Sequence, residues 1–195
     1  MSNMEFCTFT NVDERIDVSM SIMDNVLSAV GSTPMVRLDR VRDGCEADIL
    51  AKLEMFNPGG SSKARAALGM VLAAEEEGLI KPGSIIVEPT SGNQGIALAM
   101  VGAVKGYRVI VVMPDCMSVE RRQLAEAFGA EVILTPGEED VQGAVNKARE
   151  IAETTPGVWM PDQFANPANP RFHEKTTARE ILEQVSGPIH ALVAG

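Results

Sequence analysis

The stretch Asn57-Pro58-Gly59-Gly60-Ser61-Ser62-Lys63-Ala64-Arg65 decides how this chain is read. An apolar, strand-like run (48–53) precedes it and a long helical pattern (66–77) follows. Asn-Pro-Gly-Gly-Ser-Ser is loop chemistry, and its two glycines let the backbone turn tightly. The lysine is therefore delivered to the start of a helix, between flanks apolar enough to be buried. A lone lysine is ordinarily a solvated surface charge. Here desolvation and the helix dipole both disfavour an ammonium, and only a neutral amine attacks an aldehyde. The spacing of a phosphate-binding P-loop, Gly-x-x-x-x-Gly-Lys-Ser/Thr, is not met. Lys63 is the expected covalent anchor for a carbonyl cofactor.

Downstream of this loop the pattern alternates. Strands are expected over 84–88, 108–113, 131–135 and 158–160, with helices over 94–105, 119–128 and 140–153 between them. A Pro- and Asn-rich loop then leads to a helix over 171–185 and a last strand over 189–194. The first helix is expected to bury Ala64, Ala67, Leu68, Val71 and Leu72, and the helix over 140–153 to bury Val141, Ala144, Val145, Ala148 and Ile151. Near-continuously apolar strands separated by helices imply an α/β fold: three-layer, open parallel sheets with helices on both faces. The expected division is a flexible extension over 1–22, an α/β domain over 23–155 and the start of a second α/β domain over 156–195.

The loop Pro89-Thr90-Ser91-Gly92-Asn93-Gln94-Gly95 falls between a strand and a helix, where open parallel sheets bind ligands. Its hydroxyls, amides and free backbone N–H groups at a helix N-terminus suit an anion, whether carboxylate or phosphate. On its own it reads equally well as a helix cap and a tight turn. Its pairing with Lys63 favours a site.

Composition narrows the class. The chain has 195 residues, 45% of them hydrophobic, and a formal net charge of −10. A nucleic-acid partner would be repelled, and no apolar run reaches the roughly 18 residues of a membrane span. Cys7, Cys45 and Cys116 are odd in number and widely spaced, so they read as reduced thiols of a cytoplasmic protein. His173 and His190 are too few and too far apart for a metal centre, so no metal is expected.

Asn57 to Arg65 resembles the lysine motif of the fold-type II pyridoxal-phosphate enzymes, the cysteine synthase (O-acetylserine sulfhydrylase) family above all. Four further stretches carry the resemblance: Gly31-Ser32-Thr33-Pro34-Met35-Val36-Arg37-Leu38; Glu88 to Gly95; Met113-Pro114 followed by Met117-Ser118; and Asn166-Pro167-Ala168-Asn169-Pro170 leading to His173-Glu174-Lys175-Thr176-Thr177. The resemblance implies pyridoxal 5′-phosphate held as an imine by Lys63 and a hydrogen bond from Asn93 to the pyridoxal 3′ oxygen. It implies a substrate α-carboxylate gripped by Thr90, Ser91, Gln94 and Gln163. The implied reaction is β-replacement, making L-cysteine from O-acetyl-L-serine and sulfide, in a homodimer. Condensation of serine with homocysteine, as in cystathionine β-synthase, and a truncated non-catalytic relative are the alternatives. The motif usually reads Lys-Asp-Arg and the loop Asn-Thr-Gly, against Lys63-Ala64-Arg65 and Asn93-Gln94-Gly95 here. The family also continues beyond the position of Gly195, so a truncated C-terminal half is expected.

Overall fold

A computed structural model describes residues 22–41, 44 and 46–194. The extension expected over 1–22 lies outside the described residues except at Ile22, and Cys7 and Cys45 lie outside them too.

The sheet is built from the most apolar runs. Strands β3 (Ile85–Pro89), β4 (Arg108–Pro114), β5 (Glu131–Thr135) and β6 (Val158–Trp159) are all parallel, in the order β5-β4-β3-β6. Successive side chains of a strand point to opposite faces, and both faces of this sheet are covered. Ile86, Val109, Val111 and Met113 enter the larger core with α1 (Lys63–Glu76), α2 (Asn93–Lys105) and α3 (Val119–Ala127). Val87, Ile110 and Val112 meet Ala144 and Ala148 of α4 (Asp140–Thr154) on the other face. The expected layered parallel α/β architecture is therefore present. The strand order changes direction between β3 and β6, and in open parallel sheets it is beyond the carboxyl ends of strands at such a switch point that ligands bind.

Four local expectations are revised. The strand expected over 48–54 shortens to β2 (Leu50–Lys52). It pairs antiparallel with β1 (Met35–Arg37) as a separate ribbon, not as part of the parallel sheet. Helix α1 starts three residues early, at Lys63, and is buried on every side from Ala64 to Val71 because α2 and a later helix both pack on it. Leu72, expected inside, is 41% exposed, as is Val141 of α4 at 40%.

That later helix begins at Ala168, ahead of Pro170, since the N–H that proline lacks has no partner in a first turn. It runs as α5 (Ala168–His173), a π-helical stretch (Glu174–Ala178) and α6 (Arg179–Gln184). In that stretch the Thr176 hydroxyl donates to the Phe172 carbonyl at 2.7 Å, a back-bond that loosens the α-helical ladder. The last expected strand, 189–194, does not form. Among the described residues no strand pairs with it, and Leu192 and Val193 are 74% and 93% exposed. Apolar β-formers need a pairing edge before they become a strand.

Packing of α1 against α5 depends on Gly69, where a Cβ would sit 2.4 Å from Cβ of Phe172. Gly69→Ala must push the two helices apart, and overpacking of this kind costs about 1–3 kcal/mol. The expected outcome is a lower urea midpoint with an unchanged slope.

Candidate active site

Lys63 is placed by backbone geometry. Gly59 and Gly60 have φ of 81° and 78°, left-handed values that a side chain strains to adopt, and they reverse the chain ahead of α1. Asn57 ties this loop down. It accepts from Gly31 N at 2.8 Å and donates to Glu54 Oε2 at 2.8 Å. Gly59 approaches Ile96 and Met100, so the lysine loop rests on α2. Lys63 itself is half-buried at the first position of α1, and its amine enters no ion pair among the described residues.

Two residues on, Arg65 is completely buried. Its guanidinium donates to Glu54 Oε2 (2.8 Å) and Oε1 (2.9 Å), to Glu180 Oε1 (2.6 Å) and Oε2 (2.7 Å), and to Thr33 Oγ1 (3.2 Å). Lys52 Nζ joins at 2.8 Å from Glu180 Oε2. Burial works to raise the Glu180 carboxyl, but hydrogen bonds from Arg65, Lys52 and Ser32 N outweigh it and hold the group at about 2. Glu54 is likewise held below its ordinary value: burial is opposed by Arg65, Thr33 and Asn57. Ala64, where the related motif carries aspartate, is buried in the core, and the carboxylates facing Arg65 come from elsewhere in the chain.

The loop after β3 divides. Thr90 is buried, and its Oγ1 accepts from Gly92 N at 3.1 Å, which leaves the hydroxyl proton free to donate elsewhere. Ser91 and Asn93 are exposed, and the Ser91 carbonyl accepts from Arg121 at 2.9 Å. Gln94 is 1% exposed, yet neither Nε2 nor Oε1 has a partner. Gln163 is buried in the loop leaving β6, the neighbour of β3. Thr90, Gln94 and Gln163 thus follow the carboxyl ends of β3 and β6 at the switch point, and the lysine loop packs on the same helix, α2, whose first turn holds Gln94.

Glu88 stands in the motif stretch Glu88 to Gly95, which gave it no role. It is 1% exposed on β3 and accepts backbone N–H groups from Asp162 and Gln163. An acidic residue directly after the apolar run Ile85-Ile86-Val87 was the available signal. Among the described residues no group of three or more His, Cys, Asp or Glu could hold a metal, and no helix is long and apolar enough to cross a membrane.

Among the described residues the Lys63 amine has no carboxylate partner and the buried Gln94 amide has no partner, a pairing that fits a carbonyl cofactor and an anionic ligand. The profile of a family described as pyridoxal-phosphate dependent enzymes matches residues 26–195. The chain belongs to that family. A probable cysteine synthase of Bacillus subtilis is 52% identical over 178 residues, covering 90% of this chain and 57% of that protein. A cysteine synthase of Staphylococcus aureus is 53% identical over 174 residues, 89% of this chain and 56% of that one. Among solved structures, an O-ureido-L-serine synthase superposes with a TM-score of 0.79 at 48% identity, over 85% of this chain and 52% of its own. A hydrogen sulfide-producing enzyme from Fusobacterium nucleatum gives 0.79 at 45% identity, over 83% and 54%. The chain spans little more than half the length of these relatives. Pyridoxal phosphate is the cofactor that family membership implies.

The Arg65 cluster has a pH signature. A carboxyl depressed in the folded state stabilises fully above its ordinary value of 4.5, and that stabilisation is lost as pH falls toward 2. In acid unfolding, Glu180→Gln should flatten the decline across this window, by roughly 2 kcal/mol. Arg65→Ala, which strands two carboxylates, should lower stability at neutral pH by about 3–5 kcal/mol in a denaturant titration.

Proposed function

We propose that this chain carries the lysine-bearing site of a pyridoxal-phosphate enzyme that makes L-cysteine from O-acetyl-L-serine and sulfide by β-replacement. The observation that carries this reading is the position of Lys63, an amine without an ion pair at the N-terminus of a buried helix, in a chain 52% identical to a probable cysteine synthase. When bound, pyridoxal phosphate supplies an aldehyde for amine capture and an electron sink for charge developing at the substrate α-carbon.

The protein's own groups do the rest. Lys63 Nζ would hold the cofactor covalently, and as a free amine would take the proton from the substrate α-carbon, acetate leaving from the β-carbon to which sulfide then adds. Asn93, exposed at the first position of α2, donates to the pyridoxal 3′ oxygen. Thr90, Ser91, Gln94 and Gln163 hold the substrate α-carboxylate. Thr90 offers the hydroxyl proton that its bond with Gly92 N leaves free, and Gln94 and Gln163 offer amide N–H groups. Gln94 reaches further than the usual threonine, so it bears on substrate size more than on reaction type. Within the same proposal the protein is a cytoplasmic homodimer. Support comes from the free thiol of Cys116 and from the exposure of Met55 and Phe56, at 62% and 66%, just ahead of the lysine loop.

Borohydride reduction with pyridoxal phosphate, followed by peptide mapping, tests the lysine. The label is expected on Lys63 and absent from Lys63→Ala, with Lys52 and Lys105 unmodified. A label on any other lysine sinks the assignment. Ser91→Ala and Gln94→Ala should keep the Lys63 label while weakening amino-acid binding, read from the visible spectrum, by about ten- to a hundredfold for each lost charge-assisted hydrogen bond. Unchanged affinity in both variants removes the loop from the site.

A further inference from the structure

Glu88 poses an energetic question that the proposed chemistry leaves unanswered. A carboxylate taken out of water costs several kcal/mol unless it is paired or well hydrogen-bonded, yet no lysine, arginine or histidine forms a salt bridge with Glu88 among the described residues. Its partners all come from the loop that leaves β6. Oε2 accepts from Asp162 N at 3.1 Å and Oε1 from Gln163 N at 3.3 Å. The register of β4 sets Val111 opposite, and the loop brings the like charge of Asp162. Burial is the main effect and pushes Glu88 up to about 7, against the hydrogen bonds that favour its charged form.

The loop is shaped for this contact. Asp162 has φ of 51°, a left-handed conformation that costs a residue with a side chain about 1–2 kcal/mol and that aspartate tolerates better than most. This backbone turns two successive N–H groups onto one carboxylate, in the manner of an anion-binding nest. The Asp162 carbonyl accepts from Ala165 N at 3.0 Å and Asn166 N at 2.9 Å, while Asn169 Nδ2 donates to the Gln163 carbonyl at 2.9 Å. The backbone of Gln163 is thus held on both sides. Its side-chain amide carries two N–H donors for a ligand.

We propose that Glu88 is a positioning residue: its buried carboxylate fixes the backbone of Gln163 beyond the carboxyl ends of β3 and β6, so that the Gln163 amide meets the substrate α-carboxylate already oriented. This rests on the reading of Gln163 given above. Glu88 touches no substrate and acts only through Gln163. The isosteric change Glu88→Gln replaces one acceptor oxygen by an N–H donor, which then opposes a backbone N–H.

The test uses Glu88→Gln, Gln163→Ala and the double variant, with amide exchange over 160–166 and L-serine titration of the pyridoxal-phosphate-loaded protein as readouts. Glu88→Gln should speed exchange at Asp162 and Gln163 by tenfold or more while exchange in α1 and the Lys63 label stay unchanged. Each single variant should weaken L-serine binding about tenfold, and the double variant should be no weaker than Gln163→Ala, because coupled residues are not additive. Unaltered exchange in Glu88→Gln overturns the anchor, and additive losses in the double variant overturn action through Gln163. Faster exchange in Glu88→Gln together with normal L-serine affinity in Gln163→Ala overturns instead the carboxylate role of Gln163. Should Glu88→Gln not fold, amide exchange in the unaltered protein carries the test: Asp162 and Gln163 should be protected as strongly as the hydrogen-bonded amides of Ala165 and Asn166, and freely exchanging amides there overturn the anchor.

Discussion

The guanidinium of Arg65 ties together parts of the chain that no local rule would bring together. It is completely buried, and its planar fork is filled by Glu54 ahead of the lysine loop, by Glu180 of α6 and by Thr33 ahead of β1. With Lys52 added, two cations face two carboxylates. Taking four charges out of water consumes most of what their attraction returns, so the cluster is better understood as a device for position than as a source of net stability. It stands two residues from Lys63. The start of α1, and with it the amine that the proposed chemistry needs, is held relative to three remote segments by one rigid group.

Several otherwise puzzling features follow from that constraint. Helix α1 is buried on every side, unusual for a helix flanking a sheet, because α2 and α5 both pack on it, and α5 leads on to the α6 turn that carries Glu180. The crossing is close enough to require glycine twice. Gly69 lies under Phe172, and a Cβ on Gly31 would sit 3.1 Å from both Arg65 Nη1 and Glu180 Oε1. Gly31 also has φ of 95°, so small size and left-handed backbone are required at one position. The aspartate usual beside this arginine is dispensable here because Glu54 and Glu180 already fill its donors, and Ala64 serves the core instead.

What the sequence made legible was local. The parallel strands, the helices between them and the lysine loop all follow from periodicity and from Gly and Pro punctuation, and β5 matches its expected bounds, Glu131–Thr135. The features that escaped depend on distant partners. Glu180 reads as one more charge on an amphipathic helix until the fold sets it 2.6 Å from Arg65, a residue 115 positions away. Glu88 reads as the end of a strand until the loop after β6 arrives 74 positions later. Residues 189–194 show the converse: their composition suits a strand, but strand formation is a property of a pair, and among the described residues no strand pairs with them.

Gln94 carries the least satisfied chemistry of the site. Both polar atoms of a 1% exposed amide lack partners, and each such atom costs on the order of 1–3 kcal/mol relative to one left in water. Residues that break a local rule are commonly found where function asks for them. A threonine at this position would hide a smaller polar group at smaller cost, so the longer side chain needs a compensating gain. The dry environment suggests where one lies. A hydrogen bond to a solvated side chain must first displace its water and so nets little, whereas Gln94 has already lost its water when the protein folded. A hydrogen bond made to Nε2 therefore recovers more free energy than one made to exposed Ser91. Oε1 can only accept, so full satisfaction of this amide needs both an acceptor and a donor, which one simple anion does not supply.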